Sequence, residues 1–79
     1  MLEISIILPV TKQEIGHIIL KRRQDLSLKQ EDLSELTGIT SKTIYLIENG
    51  TGNPSLETLE KIAGVLGLEI KMQIRDVES

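Results

Sequence analysis

The spacing of apolar positions changes twice along this chain, and the changes divide it into a strand, four helices and a second strand. Residues 3–8, EISIIL, are short and β-branched and are stopped by Pro9, which predicts a strand. From Thr11 the spacing becomes helical. Thr11 is a cap, with Glu14 three residues on as a capping box, and Ile15, Ile18, Ile19 and Arg22 follow one face to about Asp25. Residues 26–28, LSL, form an apolar connector. The next stretch, KQEDLSELTG, predicts a short second helix with Leu33 and Leu36 inward. Glu31 and Asp32 stand near its positive N-terminus and Gly38 just past its end.

Thr40 or Ser41 caps a third helix that ends at Gly50. Its core face is Ile44 and Ile47, at spacing i, i+3; its other face carries Ser41, Lys42 and Tyr45, unusual choices for an idle solvent face. Asn53 is placed to cap a fourth helix with Pro54 at its first position, where the missing N–H costs nothing. Leu56, Leu59, Ile62, Ala63 and Leu66 are its inward face, and Gly67 ends it. The period then drops to two. Leu68, Ile70, Met72 and Ile74 alternate with Glu69, Lys71, Gln73 and Arg75, the pattern of a strand with one buried face. The expected organisation is an arm over 1–10, a helical domain over 11–67 and a strand and tail over 68–79. No internal repeat or low-complexity segment is visible.

Composition narrows the chemistry. Seventy-nine residues make one small domain, close to the lower limit for a core without staples. The absence of cysteine excludes disulfides and thiolate metal sites and fits a reducing compartment. His17 is the sole histidine, too little for a multi-histidine metal site or a catalytic triad, and it reads as a surface residue of the first helix. The opening MLEISIILPV lacks the basic flank and cleavage site of a signal peptide, and no apolar run is long enough to span a bilayer, so a cytoplasmic protein is expected. Net charge is −3, but residues 1–30 carry +2 and the remainder −5. Nucleic-acid binding depends on the field at one face, so the total is permissive.

Two short helices joined at a glycine, the second with polar residues at its N-terminal end, form a helix-turn-helix pattern. Gln30, Leu33, Gly38, Ile39, Ile44, Ile47, then ENG, then NPSLETLEKIAGVLG resemble the XRE, or phage-repressor-type, DNA-binding domains over residues 12–67. Gly38 would take the left-handed turn conformation, which penalises a residue with a Cβ. The alternating tail after four helices resembles the HipB-type antitoxins, whose C-terminal strand pairs with its dimer mate. That resemblance implies a mainly α fold, a four-helix phage-repressor-like domain whose C-terminal strand, with a short N-terminal strand, forms an intermolecular sheet in a homodimer.

The resemblance also implies roles. Ser41, Lys42 and Tyr45 would face base edges in the major groove of a double-stranded DNA operator, and Lys29, Gln30, Thr40, Asn49 and Thr51 would line phosphates. Lys21 or Arg22 would flank a phosphate or lie on a plain solvated face. Arg23 and Glu48 fall on the family's ion pair, either setting the docking angle of the reading helix or serving the fold alone. Leu68, Ile70, Met72 and Ile74 would form the dimer strand, packed over Ile15, Ile18 or Ile19. Four positions depart from the family pattern. Ser34 replaces a packed alanine, Lys29 replaces the usual Ser or Thr cap, and Tyr45 and Leu46 stand where Ser and a polar residue are common. Leu46 offers a thymine methyl an apolar contact and no hydrogen bond.

The expected function is a DNA-binding repressor, an autoregulating antitoxin with a HipA-like kinase toxin as partner. The alternatives are a protein-interaction module on the same fold and a phage-type regulator without a toxin. No cofactor, metal or membrane is implied, and no nucleophile–base set suggests an enzyme.

Overall fold

Capping and turn chemistry place the elements. A computed structural model describes residues 2–6 and 11–72 of the chain, with side chains over 11–71. They form β1 (Leu2–Ile6), α1 (Lys12–Asp25), α2 (Gln30–Thr37), α3 (Ser41–Glu48), α4 (Leu56–Leu66) and β2 (Leu68–Met72). Thr11 accepts from the Glu14 N–H at 3.1 Å, and its hydroxyl donates to the Glu14 carboxylate. The connector after α1 is a helix-ending turn. The Leu28 N–H reaches the Arg23 carbonyl at 3.0 Å and the Ser27 N–H the Gln24 carbonyl at 2.9 Å. Ser27 sits between them at φ 58°, the left-handed position that such turns usually give to glycine. At α2 the Lys29 side chain cannot accept a hydrogen bond, and Asp32 takes over by accepting from the Lys29 N–H at 2.8 Å. Gly38 ends α2 at φ 78°, as expected from its place in the turn.

The fourth helix starts two residues later than its sequence suggests. Its cap is Ser55, which accepts from the Thr58 N–H at 3.1 Å, and not Asn53; Pro54 lies before the helix. Asn and Ser are both good caps, and the extended backbone of Ser55, at φ −74° and ψ 160°, places its hydroxyl on the Thr58 N–H.

Leu33, Ile44, Ile62 and Leu66 are fully buried at the centre, one or two from each of α2, α3 and α4, and Ile19, Ile47, Ala63 and Leu68 complete the core. Each fully buried Leu or Ile contributes about 1.5–3 kcal/mol. Leu36 and Leu56 do not point inward; they are 59 % and 58 % exposed. Both sit at a helix end, Leu36 in the last turn of α2 and Leu56 as the first residue of α4, beyond what a core this small can cover.

β2 pairs with β1 of its own chain, in parallel, with Leu2 beside Leu68, Ile4 beside Ile70 and Ile6 beside Met72. The N-terminal strand therefore occupies one edge of β2, so that strand does not carry two open edges. Ile74, the side chain of Met72 and residues 7 and 8 of the expected first strand lie outside the described residues.

Candidate nucleic-acid interface

Helix α3 is locked from behind before anything can be read from its front. Gly16 of α1 lies against the Ile47 carbonyl, and a Cβ there would also come within 2.8 Å of the Glu48 carbonyl oxygen. Gly50, at φ 74°, meets the first turn of α1 in the same way, with a Cβ only 3.0 Å from Gln13 Cα. Two glycines thus let α1 rest directly on the C-terminal end of α3.

Beside that contact, Arg23 and Glu48 form a buried, two-pronged ion pair. Arg23 Nε donates to Glu48 Oε2 at 2.7 Å and Nη2 to Oε1 at 2.9 Å, while Nη1 donates to the Leu28 carbonyl at 2.7 Å. Hydrogen bonding to Glu48 holds the Arg23 guanidinium above its ordinary pKa, against the opposing effect of burial. Gln30 Nε2 adds a third donor to Glu48 Oε1 at 2.9 Å. One carboxylate therefore ties together the end of α1, the start of α2 and the end of α3.

The front of α3 is open. Lys42 and Tyr45 are exposed, Tyr45 at 55 %, and Ser41 is half-buried. Thr40 caps the helix by accepting from the Thr43 N–H at 3.2 Å. The first turns of α1, α2 and α4 each carry an acid (Glu14; Glu31 and Asp32; Glu57), whereas that of α3 carries none. Among the helices of the described residues, α3 alone leaves its positive end uncompensated, with Lys42 adding charge there. That is the electrostatic character of an anion-facing helix end.

The remaining expected site residues divide. Lys29 is exposed at the start of α2, and Gln30 beside it is half-buried with its amide already on Glu48. After α3 the chain folds back on the helix. The N–H groups of Asn49, Gly50 and Thr51 donate to the carbonyls of Tyr45, Ile47 and Leu46. The side chains of Asn49 and Thr51 also donate to Tyr45 and Leu46, at 2.7 and 3.0 Å. Thr51 thus has both its donors committed inward. Leu46 is half-buried and lines a hollow of about 190 Å³ with Thr43, Thr51 and Pro54. Arg22 turns from the surface to donate to the Leu66 carbonyl at 2.8 Å, closing α4. Gly16, Ser27 and Lys12, whose amine reaches the Gly52 carbonyl at 2.7 Å, lie outside the site residues expected from the sequence. A glycine inside a helical pattern was the available signal for Gly16.

Comparison with known proteins agrees with this geometry. A helix-turn-helix family model matches residues 19–72, more than half of the chain. An HTH-type transcriptional regulator of Methanothermobacter thermautotrophicus is 42 % identical over 52 residues, 66 % of this chain and 75 % of the relative. The cryptic phage CTXphi transcriptional repressor RstR of Vibrio cholerae is 35 % identical over 57 residues, 72 % of this chain and 51 % of that protein. The immunity repressor of Bacillus phage phi105 is 36 % identical over 56 residues, 71 % of this chain and 39 % of that repressor. The matched region takes in the Arg23–Glu48 pair and the open front of α3, and the chain belongs to the XRE-type helix-turn-helix family.

Proposed function

We propose that this chain is a cytoplasmic, sequence-specific DNA-binding transcriptional repressor that works as a homodimer and reads the major groove with the N-terminal end of α3. The observation that carries this reading is the open, uncompensated start of α3, with Lys42 and Tyr45 exposed on a helix locked from behind. Ser41, Lys42 and Tyr45 are the base readers, and Lys42 can donate to guanine O6 and N7. Lys29, Gln30 and Thr40 anchor phosphates at two helix starts. Asn49 and Thr51 line the backbone after α3, Asn49 through its second amide hydrogen and Thr51 chiefly by holding the loop.

The dimer rests on two features. β2 has one edge paired with β1, and its second edge has no strand on it among the described residues. Beside it, Ile15, Ile18, Leu59 and Ile70, all half-buried, line an apolar hollow. A two-fold axis perpendicular to that edge would join β2 to its copy in antiparallel fashion, giving the order β1-β2-β2-β1 and covering the hollow.

Within this function, the strand that follows α4 directly favours a HipB-like antitoxin that represses its own operon and binds a HipA-like kinase toxin. The gene for such a kinase should then lie next to this one, and the two proteins should co-purify.

The decisive experiment is a gel shift with the DNA immediately upstream of the coding sequence. Specific binding that falls steeply with salt is expected, because counterions are released from phosphates. A protein-interaction module would give no shift.

A further inference from the structure

We infer that Lys12, the first residue of α1, supplies the phosphate-binding cation of the loop after α3. This rests on the DNA-binding reading above. That loop flanks the reading helix, yet no Lys or Arg occurs between Lys42 and Lys61. Its donors face the wrong way. Asn49, Gly50 and Thr51 spend their N–H groups on α3 carbonyls, and the side chains of Asn49 and Thr51 follow them. Of these groups only the second amide hydrogen of Asn49 stays available to a phosphate, and it carries no charge.

Lys12 fills the gap from 40 positions away. Its exposed ammonium donates one hydrogen bond to the Gly52 carbonyl at 2.7 Å, which keeps the charge at the loop and leaves two further N–H groups to bind. The close approach of Gly50 to Gln13 fixes the first turn of α1 against the same segment. Three other cations of the described residues stand beside carboxylates: Lys21 by Asp25, Arg23 by Glu48 and Lys61 by Glu57. Lys12 has no carboxylate within ion-pair distance among the described residues. The carbonyl of Gly52 positions the charge without cancelling it. Lys12 would thus join Lys29 and Lys42 as a third cation, each delivered by a different helix start.

The test compares the full chain with Lys12→Gln and Lys12→Arg, titrating the upstream DNA and an unrelated duplex between 50 and 200 mM salt. Gln keeps an N–H donor but carries no charge. Lys12→Gln should weaken binding to both duplexes by the same factor and flatten the salt slope by about one unit. One lost phosphate contact makes the gap between variant and parent shrink about threefold across that salt range. Lys12→Arg should keep the parental slope. Equal slopes for Lys12→Gln and the parent would overturn the assignment, and a lowered melting temperature alongside them would make Lys12 a structural tether. A loss confined to the upstream DNA would make it a base reader and also overturn the proposal. A parent chain that binds neither duplex would remove the DNA-binding reading and this inference with it; a parent that binds beside an unaffected Lys12→Gln removes only the inference.

Discussion

Gly16 of α1 stands against the backbone carbonyl of Ile47 in α3 with no space between them for a methyl group. A glycine inside a helix ordinarily weakens it, and replacement by alanine gains about 0.5–1 kcal/mol. Here the sign should reverse. Gly16→Ala must push α1 off the end of α3 and should cost about 1–3 kcal/mol, as overpacking does. Gly64, exposed inside α4, is the control, because a Cβ added there would meet nothing within 4 Å. Gly64→Ala should follow the ordinary rule and stabilise. Urea midpoints that moved in the same direction for both variants would contradict this packing.

The Arg23–Glu48 pair gives a larger effect. Removing one partner leaves an uncompensated buried charge, so Arg23→Met should cost about 3–5 kcal/mol. Joint replacement by Arg23→Met and Glu48→Leu should recover most of that loss, because no charge is then stranded. The pH dependence has a definite sign. The Arg23 pKa is raised in the folded chain. Its contribution is therefore fully present below the ordinary arginine range and lost only as pH climbs through still higher values. The titration of Arg23 should add no slope to stability near neutrality, which chemical unfolding at several pH values would check.

Ser27 offers a stabilising change. It holds the left-handed position of the turn after α1 while carrying a side chain. Ser27→Gly should raise stability by about 0.5–1 kcal/mol, the backbone relief exceeding the added freedom of the unfolded chain. An unchanged thermal midpoint would show that the turn carries no such penalty.

Lys42 and Lys29 should separate base reading from phosphate anchoring. Lys42→Ala should cost about 1–3 kcal/mol and relax preference at one half-site position. Lys29→Ala should weaken binding to all sequences alike and lower the salt slope by about one unit. Binding titrations on the operator and on single-position variants distinguish them, and an exchange of the two patterns would swap the roles.

Ending the chain after Gly67 removes β2, including the buried Leu68, and takes the partner strand from β1. The expected product is a less stable monomer with strongly reduced operator affinity. Sedimentation decides the matter: a dimer that survives this truncation would refute β2 as the dimerisation element.

Local chemistry was legible in the residues themselves. The cap at Thr11, the left-handed Gly38, the end of α4 at Gly67, the apolar faces of α1 and α3 and the period-two run from Leu68 all depend on neighbours within a few positions. Helix periodicity and turn geometry act at that range. Sequence spacing alone could not say how far the core extends, so Leu36 and Leu56 looked inward when they lie beyond it, and it put the cap of α4 at Asn53 where Ser55 holds it. Tertiary structure decided the rest: the parallel pairing of β1 with β2, the seat of Gly16 on Ile47, the third donor from Gln30 to Glu48 and the reach of Lys12 to Gly52. Each joins residues at least 18 positions apart, and such contacts form only when the helices have packed and brought both partners to one place.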